Sequence, residues 1–183
     1  MKNLTIILFT VLVGCSSTIP EETLIFEIEN ENATIESLQV NYELVKGSGK
    51  LVAKGSYNFI SSFIFESSRL NNLVVFKDFI GRKSFAIDSN EETVKLVDLR
   101  KNIEITSDQF TNEYPQFSGI LFEHIFIKKL LWGEKIEQAD YPNLIISQEF
   151  NQEYGMQFLN QISVKNDSIN QDFNLSIFSR NFE

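Results

Sequence analysis

The sequence is poor in the residues that most often build catalytic and metal-binding sites. Its 183 residues include one histidine, one cysteine, one tryptophan and three prolines. A lone cysteine excludes an intramolecular disulfide, and we find no zinc-site spacing, glycine-rich phosphate loop or nucleophile elbow. We therefore expect a protein that is not an enzyme and holds no metal or cofactor. Carboxylates brought together across strands are the alternative.

Basic residues are also in deficit. Sixteen lysines and arginines stand against 25 aspartates and glutamates, a formal net charge of −9, and no basic cluster is visible along the chain. Nucleic acid is therefore a poor partner, and the expected partners do not include it. Anionic lipid headgroups would repel such a chain. Any membrane attachment is expected to come from acyl chains and apolar contacts.

Long hydrophobic runs are absent beyond the amino terminus. A positive start, Met1-Lys2-Asn3, precedes a short apolar segment that reaches Val13. This pattern is typical of a secretory signal and is too short for a membrane-spanning helix. The segment ends in Leu12-Val13-Gly14-Cys15, which has the small and aliphatic residues of a lipobox. An ordinary signal peptide with a chance cysteine is the alternative.

The lipobox predicts cleavage before Cys15 and lipidation of its thiol. Two acyl chains are sufficient for stable anchoring. Ser16, rather than an aspartate, follows the cysteine, which favours the outer membrane, on the side that faces the periplasm. We divide the chain into a signal peptide (residues 1–14), a lipidated and acidic tether (residues 15–35) and one domain (residues 36–183), and expect a monomer.

Alternation of apolar and polar residues predicts strands through most of the domain. The alternation of Leu24, Phe26 and Ile28 with glutamates predicts either a first strand or a short helix, and from Leu38 the pattern is β, with a strand at residues 38–44. The Lys-Gly-Ser-Gly-Lys segment at 46–50 predicts a hairpin turn, because glycine tolerates the positive φ of such turns. Turn signals recur about every ten residues, which indicates an antiparallel sheet or barrel. Further predicted strands lie at residues 51–53, 59–65, 73–76, 84–88, 93–98, 103–106, 144–146, 162–165 and 170–178.

Helical spacing interrupts the strands from Phe117 to Trp132, and Gly133 is the expected stop. The apolar surface of this segment is wider than one stripe, so we expect the helix to be sandwiched between the sheet and another element. The single histidine, His124, lies on this helix. We interpret it as a buried or half-buried helix residue rather than a ligand or base.

The predicted turn at residues 77–82 is apolar where a polar tip is expected. It presents Phe79 and Ile80, and Gly81 permits a sharp reversal. Either the two side chains fold back onto the core edge, or they form a protruding tip that enters a lipid layer. Burial of an isoleucine contributes about 1.5–3 kcal/mol, which would assist an anchor but not replace one.

The segment from Leu73 to Asp98 resembles the central part of LolB, the family of outer-membrane lipoprotein receptors. The shared features are a strand, a loop that ends in an apolar residue and glycine, and two strands with the run Val94-Lys95-Leu96-Val97-Asp98. The helix end Leu130-Leu131-Trp132-Gly133 matches as well, and a lipobox precedes both. The resemblance covers roughly residues 50–135.

The resemblance implies an α+β fold: a curved, open antiparallel β-sheet, or half barrel, with a few helices covering its concave face. A cavity between them would hold the acyl chains of a lipoprotein cargo delivered by a LolA-like periplasmic carrier. The region 107–133 would be a mobile lid. The abundance of phenylalanine, 17 residues, fits an apolar cavity but also fits AT-rich codon usage.

The family inserts its cargo into outer-membrane lipid with the help of an exposed loop leucine. Ile80 takes that position here, with Phe79 and Gly81 in the same insertion loop. The alternative is a non-catalytic envelope lipoprotein that binds a small amphiphile or scaffolds a complex. The candidate cavity-lining residues are Phe63, Phe65, Leu73, Val75, Phe85, Ile87, Val94, Leu96, Leu121, Ile125, Leu131 and Trp132.

Overall fold

The computed structural model describes residues 31–56, 58–106, 123–167 and 170–183. The predicted lipidation site Cys15, the signal peptide, most of the tether, Leu121 and most of the predicted lid lie outside these ranges. The division of the chain into signal, tether and domain therefore stays a prediction.

Within the described ranges the chain forms nine strands, two α-helices and one 3₁₀ turn. The nine strands make one open antiparallel sheet, in the order β6-β5-β4-β3-β2-β1-β9-β8-β7. Every sheet neighbour is also a neighbour in sequence except β1 and β9, which join the two halves. The elements in chain order are α1 (Ile35–Gln39), β1 (Leu44–Gly55), β2 (Phe59–Ser68), β3 (Asn72–Lys77), β4 (Lys83–Ser89), β5 (Val94–Asp98), β6 (Ile103–Thr106), α2 (His124–Trp132), the 3₁₀ turn (Gln138–Asp140), β7 (Ile145–Glu153), β8 (Met156–Asn166) and β9 (Gln171–Phe182).

The predicted hairpin at residues 46–50 is wrong, because this segment is the middle of β1. Gly47 and Gly49 are required there by close approach rather than by a turn. A Cβ at Gly49 would lie 2.4 Å from the ring of Phe63 and 2.5 Å from the carbonyl oxygen of Ser176. A Cβ at Gly47 would similarly lie 2.5 Å from the ring of Phe65. The two glycines let aromatic rings from β2 lie flat across β1.

The sheet curves around α2. This helix contacts β2, β3 and β8, although β3 and β8 are separated by three strands in the sheet. Four strand spacings amount to about 19 Å, whereas a helix with its side chains is only about 10–12 Å wide. One helix touches both strands only if the sheet bends toward it. The open sheet therefore fits the predicted half barrel, with α2 on the inner face.

The prediction of several covering helices is not confirmed by the described residues. Only α2 lies across the inner face there, and α1 is five residues long. The predicted helical segment is observed from His124 to Trp132, and it ends as expected at Gly133, whose φ is 85°. The amide of Gly133 donates to the carbonyl oxygens of Lys129 and Leu130, and the amide of Glu134 donates to Lys129. These bonds satisfy the last carbonyls of the helix.

The hydrophobic core lies between the inner face of the sheet and α2. Alternate residues of each strand point into it, as the period of two requires. Phe63 and Phe76 pack at a ring-centroid distance of 5.7 Å, and Phe158 and Trp132 both contact Phe182, at 5.8 and 6.0 Å. The abundant phenylalanines thus form much of a single packed layer.

Candidate membrane-contacting tip and lipid-binding core

The turn between β3 and β4 projects two apolar side chains into solvent. Phe79 is 95% exposed and Ile80 is 57% exposed. Gly81 has a φ of 85°, and nothing lies within 4 Å of the position that its Cβ would take. The two side chains therefore do not fold back onto the core edge. Of the two alternatives for this turn, the protruding apolar tip is the observed one.

Asp78 braces this tip. One carboxylate oxygen, Oδ1, accepts from the amides of Ile80 at 3.1 Å and Arg82 at 2.9 Å. The other, Oδ2, accepts from Nε of Arg82 at 2.9 Å. Burial alone would raise the pKa of Asp78, but the hydrogen bonds from Arg82 and Ile80 outweigh it and lower the pKa. The shape of the turn is thus set by Asp78, and the apolar tip residues are not needed to hold it.

The neighbouring turn between β5 and β6 is stabilised in the same way, by an aspartate that accepts hydrogen bonds from backbone amides. Oδ1 of Asp98 accepts from the amides of Arg100 at 2.9 Å and Lys101 at 3.1 Å. The amide of Leu99 donates to the carbonyl oxygen of Ser84 at 2.9 Å, which ties this turn to β4. Leu99 and Ile103 are both exposed. Two braced turns with apolar side chains therefore stand together at one end of the sheet, which we call the tip surface (residues 77–83 and 98–103).

The tip surface is also basic, which the sequence analysis missed. It holds five cations and two carboxylates, a local charge of +3 in a chain of net charge −9. The cations come from two hairpins that lie far apart in sequence but adjacent in the sheet, so no run of basic residues signals them. A repeated pattern, an aspartate at the start of each turn followed within five residues by two cations, was the available signal. The five cations are Lys77, Arg82, Lys83, Arg100 and Lys101.

Most of the predicted cavity-lining residues lie between the inner face of the sheet and α2. Those that the structure brings together in one buried cluster are Phe63, Phe65, Phe85, Ile87, Leu96, Leu131 and Trp132. Val94 is partly buried and packs against this cluster.

Three of the predicted lining residues have a different placement, which corrects the prediction. Leu73 and Val75 alternate with the core residues Val74 and Phe76, so they point to the outer face of the sheet. Both line a depression on that outer face. Ile125 is 49% exposed on the solvent side of α2. A continuous run of apolar residues does not reveal which of its members face inward, and this is the reason for the error.

The space between the sheet and α2 is almost completely filled. A cavity of about 20 Å³ remains there, lined by nine apolar residues that include Phe63, Phe126 and Leu131. This volume is roughly that of one water molecule and cannot hold an acyl chain. Admission of a chain at this place requires α2 to move away from the sheet.

The amino-terminal end of α2 is fastened to the sheet by a buried polar network. The amide Nδ2 of Asn72 lies 2.9 Å from Nδ1 of His124 and donates to Oγ of Ser89 at 3.1 Å. Oγ of Ser67 donates to Oδ1 of Asn72 at 2.5 Å and accepts from Nε1 of Trp132 at 2.8 Å. One chain of hydrogen bonds therefore connects both ends of the helix to β2, β3 and β4.

Two cations fasten α2 further along. Nζ of Lys128 donates to the carbonyl oxygen of Arg69 in the β2–β3 turn. The guanidinium of Arg180 donates to the carbonyl oxygens of Leu131 at 2.8 Å and Leu130 at 2.9 Å. A cation at a helix carboxyl terminus also complements the helix dipole. Burial lowers the pKa of Arg180 to about 10.

His124 is half-buried, as the sequence analysis expected of it. Burial, and then the charge on Lys128, lower the pKa of His124, while Glu91 and a hydrogen bond with the backbone of Ser89 act in the opposite direction. Burial also lowers the pKa of Lys128. Nε2 of His124 is buried without a hydrogen-bond partner among the described residues. The arrangement favours the neutral imidazole, with Nδ1 as the acceptor.

The outer face of the sheet carries two shallow depressions. One has a volume of about 460 Å³ and is lined by Val52, Ile145 and Asn174, with Lys54, Lys165 and Asp172 at its edge. The other, of about 440 Å³, is lined by Ile64, Leu73 and Val75, with Lys46, Lys83 and Glu66. Both are large enough for a small ligand. They combine apolar side chains with charged side chains of both signs.

Among the described residues, no helix is both long enough and apolar enough to cross a membrane. In the same ranges, no group of three histidine, cysteine, aspartate or glutamate side chains is placed to hold a metal ion.

Comparisons with known proteins give distant likenesses only. No protein-family model matches the chain, and no curated protein does. A DUF1329 family protein from Desulfovibrio piger is similar in structure, with 8% identity, 79% of this chain and 88% of that chain covered, and a TM-score of 0.47. A LolA superfamily protein from Nitrosomonas europaea is similar with 6% identity, 82% and 94% coverage, and a TM-score of 0.44. Neither likeness establishes a family for this chain.

Proposed function

We propose that this protein is a receptor, anchored in the outer membrane by lipid on Cys15, that accepts acylated lipoproteins from a LolA-like periplasmic carrier and inserts them into that membrane. The observation that carries the proposal is the exposed Phe79–Ile80 tip on a turn that Asp78 holds rigid. A large apolar side chain at a protruding tip has no role in the core. The resemblance of residues 50–135 to LolB supports the same function.

The anchor and the tip can reach the same membrane. The described chain begins at Glu31, and the Asn32–Gln157 bridge places this start at the end of the sheet opposite the tip. β1, with 12 residues, is about 40 Å long. The 17 residues from Cys15 to Glu31, with 16 steps between successive Cα atoms, could extend over at most about 55 Å. A fully extended tether of this length would be long enough to span the domain.

The transfer requires no bond to be made or broken, so we propose no enzyme activity, metal or cofactor. Each acyl methylene removed from water contributes about 0.8 kcal/mol, so cargo chains must pass from one apolar site to the next. The inner face, with Phe63, Phe65 and Phe85, would take them once α2 moves aside. The tip would then disturb the bilayer surface where the chains enter.

A handover assay tests the proposal. The full-length lipidated protein would be placed in vesicles and mixed with carrier that holds a labelled lipoprotein. Loss of label from the carrier reports acceptance, and resistance of the label to carbonate extraction reports insertion. With Ile80→Glu we expect normal acceptance but insertion at least about tenfold slower, since burial of the isoleucine is lost.

Tyr154→Glu is the matched control, since Tyr154 is an exposed apolar residue at a turn on the opposite end of the sheet. This variant should insert cargo normally. No acceptance by the unaltered protein, with its cognate carrier, contradicts the receptor function. Full insertion by Ile80→Glu contradicts the role of the tip.

A second candidate is a non-catalytic envelope lipoprotein that binds a small amphiphile. The outer depression of about 460 Å³ around Val52 and Ile145 favours it. Lys54 at its edge would suit an acidic headgroup, while Lys165 is paired with Asp167. Saturable binding of a fatty acid that Ile145→Asp weakens, without any lipoprotein transfer, would favour this function over the first.

A further inference from the structure

We propose that the tip surface (residues 77–83 and 98–103) docks on the headgroups of anionic phospholipids, so that charge as well as apolar contact brings the tip to the bilayer. The inference rests on the proposed function and adds the class of lipid that it acts on. The expectation that anionic lipid repels this chain then holds for the protein as a whole but not for its tip.

The first observation is the distribution of charge. The tip surface carries +3, which leaves −12 on the rest of the chain. Opposite charges at the two parts of one molecule orient it in the field of an anionic surface, with the basic part toward that surface. Repulsion from the acidic residues at the far end of the sheet is screened, because β1, with 12 residues, is about 40 Å long and the Debye length is about 8–10 Å.

The second observation is how the two carboxylates are used. The side chains of Asp78 and Asp98 are 12% and 2% exposed, and both accept backbone hydrogen bonds inside their turns. Arg82 and Lys101, which pair with them, are by contrast 68% and 64% exposed. The acids therefore lie inward and the cations outward, and an approaching surface meets positive charge.

The third observation is an unfavourable pair. Lys77 and Lys83 are paired across the β3–β4 ladder, at a β-bulge between Phe76 and Lys77. Like charges in such a pair destabilise a hairpin. A surface of net negative charge would offset this repulsion, whereas a zwitterionic surface, whose phosphates are already balanced by cations, would offset it less.

The fourth observation is the mixture of side chains. Phe79, Ile80, Leu99 and Ile103 are all exposed, and they stand among the five cations. Aromatic and aliphatic side chains mixed with lysine and arginine are typical of surfaces that insert at an anionic membrane interface. An acidic protein face would satisfy the cations but would leave a tip as protruding as Phe79 without a bilayer to enter.

Tip insertion can be measured in the full-length lipidated protein with the substitution Phe79→Trp. The native Trp132 is fully buried and gives a constant background. The protein would be reconstituted in vesicles of phosphatidylcholine, or of phosphatidylcholine with about a third phosphatidylglycerol. A blue shift of the emission and its quenching by brominated acyl chains give the ratio of inserted to free tip.

We expect insertion in the anionic vesicles at low salt, and little in the neutral ones. In the Phe79→Trp background, Lys83→Gln with Arg100→Gln should lower the inserted-to-free ratio about 25-fold, since each cation near an anionic surface is worth about fivefold. The matched control, Lys50→Gln with Lys135→Gln, removes the same charge away from the tip surface. It should change the ratio less than about twofold.

The possible outcomes are distinguishable. Equal insertion into both kinds of vesicle, unaffected by the tip-surface variant, overturns the lipid preference but leaves the receptor function intact. An equal effect of the two charge variants also overturns it, because only net charge would then matter. No insertion into either vesicle, with carrier binding weakened by the tip-surface variant, assigns the surface to an acidic face of the carrier. That outcome overturns the docking on lipid and the role of the tip in insertion, and leaves acceptance of cargo from the carrier.

Discussion

The side-chain amide of Asn72, on β3, holds Nδ1 of His124 at 2.9 Å as a hydrogen-bond acceptor, and this contact fastens the start of α2 to the sheet. A proton on Nδ1 would place two donors face to face. The groups around the ring act in both directions, since Lys128 opposes protonation, whereas Glu91 and the backbone of Ser89 favour it. Burial, the largest influence, also lowers the pKa of His124.

The first prediction is therefore a loss of stability in mild acid. The unfolded chain binds the histidine proton near pH 6.5, whereas the folded state resists it. The contribution of His124 is complete above about pH 6.5 and is lost as the pH falls through the lower, folded pKa. The loss should not exceed about 1 kcal/mol, because the ring is partly exposed.

Urea unfolding between pH 8 and pH 5 measures this effect. His124→Gln has no imidazole to titrate, so its stability should fall less over this range than that of the unaltered protein. Both proteins lose the contributions of the carboxylates equally, and the difference between them isolates the histidine. Parallel pH profiles would show that the Asn72–His124 contact does not resist protonation.

The second prediction concerns Arg180 at the other end of α2. Its guanidinium donates to the carbonyl oxygens of Leu130, Leu131 and Leu159. Arg180→Met fills much of the same space but leaves these buried acceptors without a donor. We expect the free energy of unfolding to fall by about 2–4 kcal/mol. Arg180→Lys supplies one cationic donor and should recover part of the loss, as chemical denaturation would measure. An Arg180→Met protein whose free energy of unfolding is unchanged would contradict this role.

The third prediction concerns Gly49 on β1. Substitution of glycine by alanine within a strand ordinarily stabilises by about 0.5–1 kcal/mol. Here a Cβ would lie 2.5 Å from the backbone carbonyl oxygen of Ser176 and 2.4 Å from the ring of Phe63, so Gly49→Ala should destabilise by about 1–3 kcal/mol.

The exposed neighbour Lys50 is the control for this substitution. Lys50→Ala should change the unfolding free energy by less than about 0.5 kcal/mol. Truncation of the ring in Phe63→Leu should relieve only part of the Gly49→Ala effect, because the contact with the Ser176 backbone persists. A Gly49→Ala protein that is as stable as the original would contradict the close approach of β1 to its neighbours.

The sequence predicted the kind of fold better than its details. Period-two alternation identified most strands, and the αL stop at Gly133 was predicted correctly. The hairpin predicted around Gly47 and Gly49 was wrong because glycine is suited both to turns and to strand positions covered by aromatic rings. Only the neighbours of these residues in the folded sheet distinguish the two cases. Leu73 and Val75 were assigned to the wrong face, since a fully apolar strand has no alternation to read.

The candidate site was likewise predictable from the sequence only in part. The exposure of Phe79 and Ile80 is one of the two alternatives that local composition allowed. The basic partners of the tip could not be read from the chain, because Lys83 and Arg100 are brought together by the β3–β6 meander. The polar network of Ser67, Asn72 and His124 was equally invisible, since its members are small or neutral residues distributed over separate elements.

The last prediction is that α2 must leave the sheet when acyl chains enter. The space beneath it is about 20 Å³, so a chain displaces the helix rather than filling a void. Trp132 is the sole tryptophan, is fully buried, and donates to Ser67. When the protein accepts an acylated cargo we expect its emission to shift and to be quenched by brominated acyl chains.

Arg180→Met, which releases the carboxyl end of α2, should open the core more readily and speed the change in Trp132 emission at unchanged carrier concentration. The increase in the rate of this emission change should parallel the loss of folding stability, since both depend on the contacts of Arg180 with the carboxyl end of α2. Ile145→Asp alters the outer depression at an exposed residue and should leave the Trp132 signal unchanged. Acceptance of cargo with constant Trp132 emission, sensitive instead to Ile145→Asp, would place the acyl chains on the outer face and leave α2 as a fixed part of the core.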